Sequence, residues 1–217
     1  MTKEELLDKA IYIQYELKDG TFKEYNVDKE IHKISFSDKN QLYVGWKDND
    51  HHFTTKYHRE VSLPFLGKLL GFDFNVNDFN IVKRKYGKFD ISMLKPKKKY
   101  IYDVVCFNNN VKLKNVSFDR LITGTIHTEY HKLYKFPHSA SRIINKSINS
   151  NEILFISGDS HMIPIVSALS CYFKEVWYID NRKNIVNSNN WKGVNFTKVL
   201  VELYDKPLDY YINQNFK

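Results

Sequence analysis

The stretch Ile153-Leu154-Phe155-Ile156-Ser157-Gly158-Asp159-Ser160-His161-Met162 decides the fold. Ile153 to Ile156 is a short apolar run of the kind found in strands buried on both faces, and the Ser-Gly-Asp-Ser after it reads as a tight turn. From Met162 to Tyr172 the apolar pattern becomes helical, and Val176-Trp177-Tyr178-Ile179 is a second buried strand. Strand, turn, helix and strand in that order predict a parallel βαβ unit with a right-handed crossover. Lys198-Val199-Leu200-Val201-Glu202-Leu203 adds a further strand. The expected class is therefore α/β, with a mainly parallel sheet and flanking helices. Chemistry in such sheets gathers at the carboxyl ends of the strands, where Ser160 and Arg182 both fall.

Upstream, Ile11 to Leu17, the turn Lys18-Asp19-Gly20 and Thr21 to Val27 predict an N-terminal β-hairpin. Further strands are expected at Ile34 to Phe36 and Leu42 to Trp46. Thr54 or Thr55 is a reasonable N-cap for a helix whose apolar residues Val61, Phe65, Leu66, Leu69 and Leu70 precede Gly71, with Pro64 marking a late start or a kink. Between Phe72 and Ser150, strands are expected around Tyr100 to Cys106 and Val111 to Val116, and His127 to Arg142 is polar. At 217 residues the chain suits one domain over 1–217, with a β-rich segment at 1–48 before a core at 49–210.

The net charge of +8, with runs such as Lys95-Pro96-Lys97-Lys98-Lys99, suits an anionic partner, but it fits a lysine-rich solubilising surface better. No recognisable nucleic-acid module accompanies it, so nucleic acid is not expected as a partner. Cys106 and Cys171 are too few for a disulfide framework or a cysteine metal cluster. Met-Thr-Lys-Glu-Glu-Leu-Leu lacks the apolar core of a secretory signal, and no run approaches a membrane span. The chain as written is expected in the cytoplasm, with membrane association as the alternative.

Two polar segments carry the chemistry: Asn49-Asp50-His51-His52-Phe53-Thr54-Thr55 and Gly158-Asp159-Ser160-His161. A serine hydroxyl becomes nucleophilic when an imidazole takes its proton and a carboxylate fixes the imidazole tautomer. Asp50 and His52, two apart in an extended segment, face the same way. Ser160 between strand and helix has backbone N–H groups nearby to hold an oxyanion, and Gly158 permits the tight turn. Gly-Asp-Ser alone reads equally well as a helix N-cap. His51, His52 and His58 with Asp50 also invite a metal reading, but they have no characteristic zinc spacing. His127, His131 and His138 would complete such a site only if folding brought them close. No metal is expected.

Asp50-His51-His52-Phe53-Thr54-Thr55 resembles the Asp-His-His-Trp-Thr-Thr signature of the DHHW family, grouped with SGNH-hydrolase-like proteins that include the alginate O-acetylation proteins. The resemblance continues through Ser157-Gly158-Asp159-Ser160, Tyr178-Ile179-Asp180-Asn181-Arg182 and Leu203-Tyr204-Asp205-Lys206-Pro207-Leu208. Phe53 stands where that family has Trp. The resemblance implies an SGNH-hydrolase-like, flavodoxin-like fold, with Ser160 as nucleophile, His52 as base and Asp50 as its orienting carboxylate. Gly158, His161 and Arg182 are then expected on the substrate side, Arg182 meeting an anionic sugar or donor. The implied activity is O-acetyl transfer to, or ester hydrolysis on, a surface glycan through an acyl-enzyme. No cofactor is expected to stay bound, and the acyl donor is acetyl-CoA or a membrane acyltransferase partner. The alternative is a non-catalytic module that binds an anionic glycan or a partner protein.

Overall fold

The computed structural model describes residues 1–17, 19–35, 53, 55–85, 100–106, 116–120, 128–129, 140–145, 148–159, 161–180 and 193–203. Its helices are α1 (Lys3–Lys9), α2 (Thr55–Tyr57), α3 (Leu63–Leu70) and α4 (Ile163–Leu169). Its strands are β1 (Ala10–Tyr15), β2 (Ile31–Ile34), β3 (Phe79–Lys85), β4 (Tyr100–Cys106), β5 (Val116–Arg120), β6 (Thr128–Glu129), β7 (Ala140–Asn145), β8 (Ile153–Gly158), β9 (Glu175–Asp180) and β10 (Lys198–Leu203). One sheet runs in the order β2-β1-β10-β8-β9-β7-β5-β6, while β3 and β4 form a separate antiparallel ribbon. From β2 across to β9 every neighbour is parallel. Beyond β9 the sheet continues antiparallel through β7, β5 and β6. The expected α/β class and the parallel neighbourhood of β8, β9 and β10 are both present.

Alternation along the central strands sends side chains to two cores, one on each face of the sheet. Leu154, Ile156, Val176, Tyr178, Leu200, Ile13 and Tyr15 pack on one face with α3 and α4 residues such as Leu66, Ile165 and Leu169. Phe155, Trp177, Ile179, Val199, Val201 and Tyr12 pack on the other with Leu6 of α1 and Phe196. Burial on both faces explains why these strands read as unbroken apolar runs. Among the described residues no helix is long and apolar enough to cross a membrane.

The expected N-terminal hairpin is not what forms. β1 pairs in parallel with β2 on one side and β10 on the other, and residues 21–27 form no strand. The turn itself exists, with the Leu17 N–H bonded to the Thr21 carbonyl at 2.7 Å and Gly20 at φ +82°. Ile13 and Tyr15 are fully buried, and the half-polar Thr21 to Val27 cannot supply the apolar faces required beside them. That segment is tied to β1 by a side chain instead, the Gln14 amide donating to the Lys23 carbonyl at 2.9 Å. The segment expected to be β-rich also opens on α1. A capping box sets that helix, the Thr2 hydroxyl accepting from the Glu5 N–H at 3.1 Å and the Glu5 carboxylate accepting from the Thr2 N–H at 2.7 Å.

The helix expected after Thr55 begins there and ends at Gly71, which takes the left-handed conformation at φ +76° that favours glycine. Between α2 and α3 the backbone widens into a π-helical turn, His58–Ser62, with the Leu63 N–H reaching the His58 carbonyl. Pro64, which lacks an N–H, then sits in the first turn of α3, where none is needed. β4 lies where expected, and β5 begins at Val116, where the predicted Val111 strand was to end. Phe36, Leu42 to Trp46, Thr54, Lys95 to Lys99, Val111, His127, His131 and His138 lie outside the described residues.

Candidate functional site

At the carboxyl end of β8, Gly158 is required by close approach. A Cβ there would stand 2.5 Å from Met162 Cγ, 3.2 Å from Met162 Cβ and 3.4 Å from Glu202 Cβ. The turn that follows is fastened from several sides. The Asp159 N–H donates to Glu202 Oε2 on β10 at 2.8 Å, and the Tyr178 hydroxyl of β9 donates to the Asp159 carbonyl at 2.8 Å. Within the turn, Asp159 Oδ1 accepts the His161 N–H at 2.7 Å, and the Asp159 carbonyl also accepts the Met162 N–H at 3.1 Å.

Against this turn packs an aromatic cluster from three separate parts of the chain. The Phe53 ring lies 4.8 Å from the His161 ring, 4.8 Å from Tyr15 on β1 and 4.9 Å from Tyr57 on α2, centroid to centroid. His58 meets Phe53 edge-on at 5.8 Å, and its Nδ1 lies 3.2 Å from the Ser62 hydroxyl across the π-helical turn. Burial pushes the Tyr15 phenol well up; a hydrogen bond with Ser62 acts downward, while Tyr57, Glu202 and Asp159 add to the rise. Tyr15 is therefore a neutral hydroxyl beneath the site. Burial, with Glu16 adding to it, likewise raises Tyr57, whose hydroxyl donates to the Ser35 carbonyl at 3.2 Å.

Of the residues singled out in the sequence, Ser160, His52, Asp50 and Arg182 lie outside the described residues. Gly158 is at the strand end as expected. His161 is fully buried, its ring 4.8 Å from Phe53 and 6.2 Å from Tyr15 and its Nε2 4.0 Å from Asp159 Oδ2. The structure thus brings together the covalent neighbours of two of those residues: Phe53, which follows His52, and His161, which follows Ser160.

Sequence reasoning missed Glu202, Tyr178, Tyr15 and Ser62. Glu202 had a signal, because a carboxylate inside Val199-Leu200-Val201-Glu202-Leu203 must find a donor when the strand is buried. Replacing it by alanine should leave the Asp159 N–H buried without an acceptor, which costs about 1–3 kcal/mol. Glu202→Gln keeps an acceptor oxygen and is expected to retain most of that stability. Urea unfolding of both variants checks this, and a Glu202→Ala protein as stable as the parent would show that the contact contributes nothing.

No protein-family model matches the chain, and no curated protein does. Solved structures do match, and they define a class of fold. A DHHW family protein from Eubacterium siraeum is similar with a TM-score of 0.62 at 10% identity, over 99% of this chain and 86% of that one. Bacillus cereus PatB1 is similar with a TM-score of 0.64 at 13% identity, over 99% of this chain and 89% of that one. A second PatB1 structure, which bears a sulfonyl adduct, gives a TM-score of 0.64 at 13% identity over 99% and 87%. The likeness is one of fold.

Proposed function

We propose that the protein is a serine-dependent carbohydrate O-acetyltransferase or esterase, with Ser160 as nucleophile, His52 as general base and Asp50 as the carboxylate that orients His52. One observation carries this reading: the Phe53 ring rests on the His161 ring at 4.8 Å. Two segments more than a hundred positions apart, each adjoining a required residue, therefore meet. Fold likeness to a DHHW family protein supports it, as does the sulfonyl adduct on PatB1, since sulfonylation is a reaction of activated nucleophiles.

In the first half-reaction the Ser160 oxygen bonds to the acyl carbonyl carbon of the donor, and its proton passes to His52. The tetrahedral intermediate then expels the donor's alcohol or thiol, which takes that proton from His52. In the second, a sugar hydroxyl or water gives its proton to His52 and attacks the acyl-enzyme, restoring Ser160. Acetyl-CoA or a membrane acyltransferase partner supplies the acyl group, and Arg182, two positions after Asp180 in the sequence, meets the anionic part of donor or glycan.

A fluorophosphonate probe tests the activated hydroxyl directly. Peptide mapping is expected to place the label on Ser160, and prior incubation with a sulfonyl fluoride should block it. Folded protein that takes no label would leave the binding-module reading, for which the net charge of +8 suits an anionic glycan.

A further inference from the structure

The turn after β8 runs through Asp159, Ser160, His161 and Met162, and each of them brings a backbone N–H. The protein engages three of these donors itself. The Asp159 N–H goes to Glu202 Oε2 at 2.8 Å, the His161 N–H to Asp159 Oδ1 at 2.7 Å and the Met162 N–H to the Asp159 carbonyl at 3.1 Å. The remaining N–H of the turn belongs to Ser160.

The Asp159 carbonyl governs that remaining donor. It shares one peptide unit with the Ser160 N–H, and a trans peptide is planar, with its carbonyl and N–H pointing in opposite directions. Whatever fixes the carbonyl therefore fixes the N–H. Two donors reach the carbonyl: the Met162 N–H from within the turn, and the Tyr178 hydroxyl at 2.8 Å from outside it. The first bond closes the turn on itself, whereas the second ties the peptide to the sheet. Tyr178 pairs with Ile156 in the ladder between β8 and β9, so its side chain runs along the sheet face to reach residue 159. The ring is fully buried in the core with Leu154, Ile156 and Ile165, which holds the hydroxyl in place. Hydrogen bonds in a chain polarise one another, so a carbonyl that accepts this bond strengthens its own unit's N–H as a donor. Burial also keeps Tyr178 from touching substrate, and its influence passes through the peptide.

We propose that Tyr178 is a positioning residue for acyl transfer: its hydroxyl sets and polarises the Asp159–Ser160 peptide so that the Ser160 N–H meets the oxyanion of each tetrahedral intermediate. The inference rests on the acyl-transfer reading and adds to it a residue remote from the reacting atoms. An oxyanion donor acts on charge that develops only in the transition state, so the effect falls on kcat. Tyr178→Phe keeps the ring that fills the core and removes only the donor. It is expected to lower kcat for a small acetyl ester at least about tenfold, with kcat/KM falling by the same factor and KM within about twofold of the parent's. Fluorophosphonate labelling of Ser160 should slow comparably. Asn145→Ala is the control for lost stability alone. That side chain is fully buried near the opposite end of β9 and donates to the Ser170 carbonyl at 2.9 Å, so its loss should leave kcat unchanged in folded protein. Circular dichroism sets the assay temperature below both unfolding midpoints. Parent values of kcat and labelling rate in Tyr178→Phe, a change confined to KM, or an equal loss of kcat in Asn145→Ala would each overturn the role of Tyr178 and leave Ser160 as nucleophile. Parent protein that takes no label overturns the acyl-transfer reading, and this inference with it.

Discussion

Replacing Ser160 by alanine is expected to lower turnover of a small acetyl ester at least about 10^4-fold, because no other group takes over the covalent step. His52→Ala should cost nearly as much, and the double variant no more than either single one, since members of a nucleophilic unit act together. Asp50→Asn should also be severe but less so, as the imidazole loses its fixed tautomer and keeps its place. Steady-state kinetics on the three variants checks the set. Ser160→Ala protein that still hydrolyses the ester, or losses that simply multiply in the double variant, would sink the proposed unit.

Phe53→Ala carries the largest expected change in stability. The ring is 5% exposed and lies among Tyr15, Tyr57, His58 and His161, and removing a buried phenylalanine side chain costs about 3–5 kcal/mol. It should also depress ester turnover at temperatures where the variant is still folded, because the ring seats the segment adjoining His52 on the turn adjoining Ser160. Phe53→Leu refills most of the volume and is expected to recover most of the stability. Urea unfolding and turnover measured side by side separate the two effects. A Phe53→Ala protein that is folded and fully active would show that the packing of Phe53 on His161 has nothing to do with catalysis.

The parallel centre of the sheet was legible because strands covered on both faces need apolar residues at every position, as Leu154-Phe155-Ile156 shows. β7 was not, since Arg142 makes Ala140 to Asn145 look like part of a polar stretch. Its charge is met across the sheet by Glu175, in two bonds of 2.9 and 2.8 Å, and its guanidinium lies over Trp177. Burial pushes Glu175 up, but Arg142 and the Trp177 N–H outweigh it and hold the carboxyl below its ordinary range. No local pattern reveals such a partner from a remote strand. The false hairpin has a similar cause: the turn at Gly20 is encoded locally, whereas the partners of β1 are not. Pro64 announced an irregular helix, though not that the register would slip one turn before it. At the candidate site the motif residues were readable as residue types, while Glu202 and Tyr178, which fasten the turn, belong to strands whose adjacency comes only from the fold.

The place of β10 between β1 and β8 governs when this protein can fold. Ala10 pairs with Val199 and Gln14 with Leu203, so nearly the whole chain separates the two sides of one ladder. While the polypeptide is being synthesised, β1 and β8 each keep an unpaired apolar edge until residue 203 has emerged, and such edges invite association with other chains. Closing so long a loop delays the reward of pairing until the end, which makes assembly slow and concerted. The turn bearing the candidate nucleophile is fastened by Glu202 of that same strand, so site and sheet are completed in one late step, and a nascent chain arrested before β10 has neither.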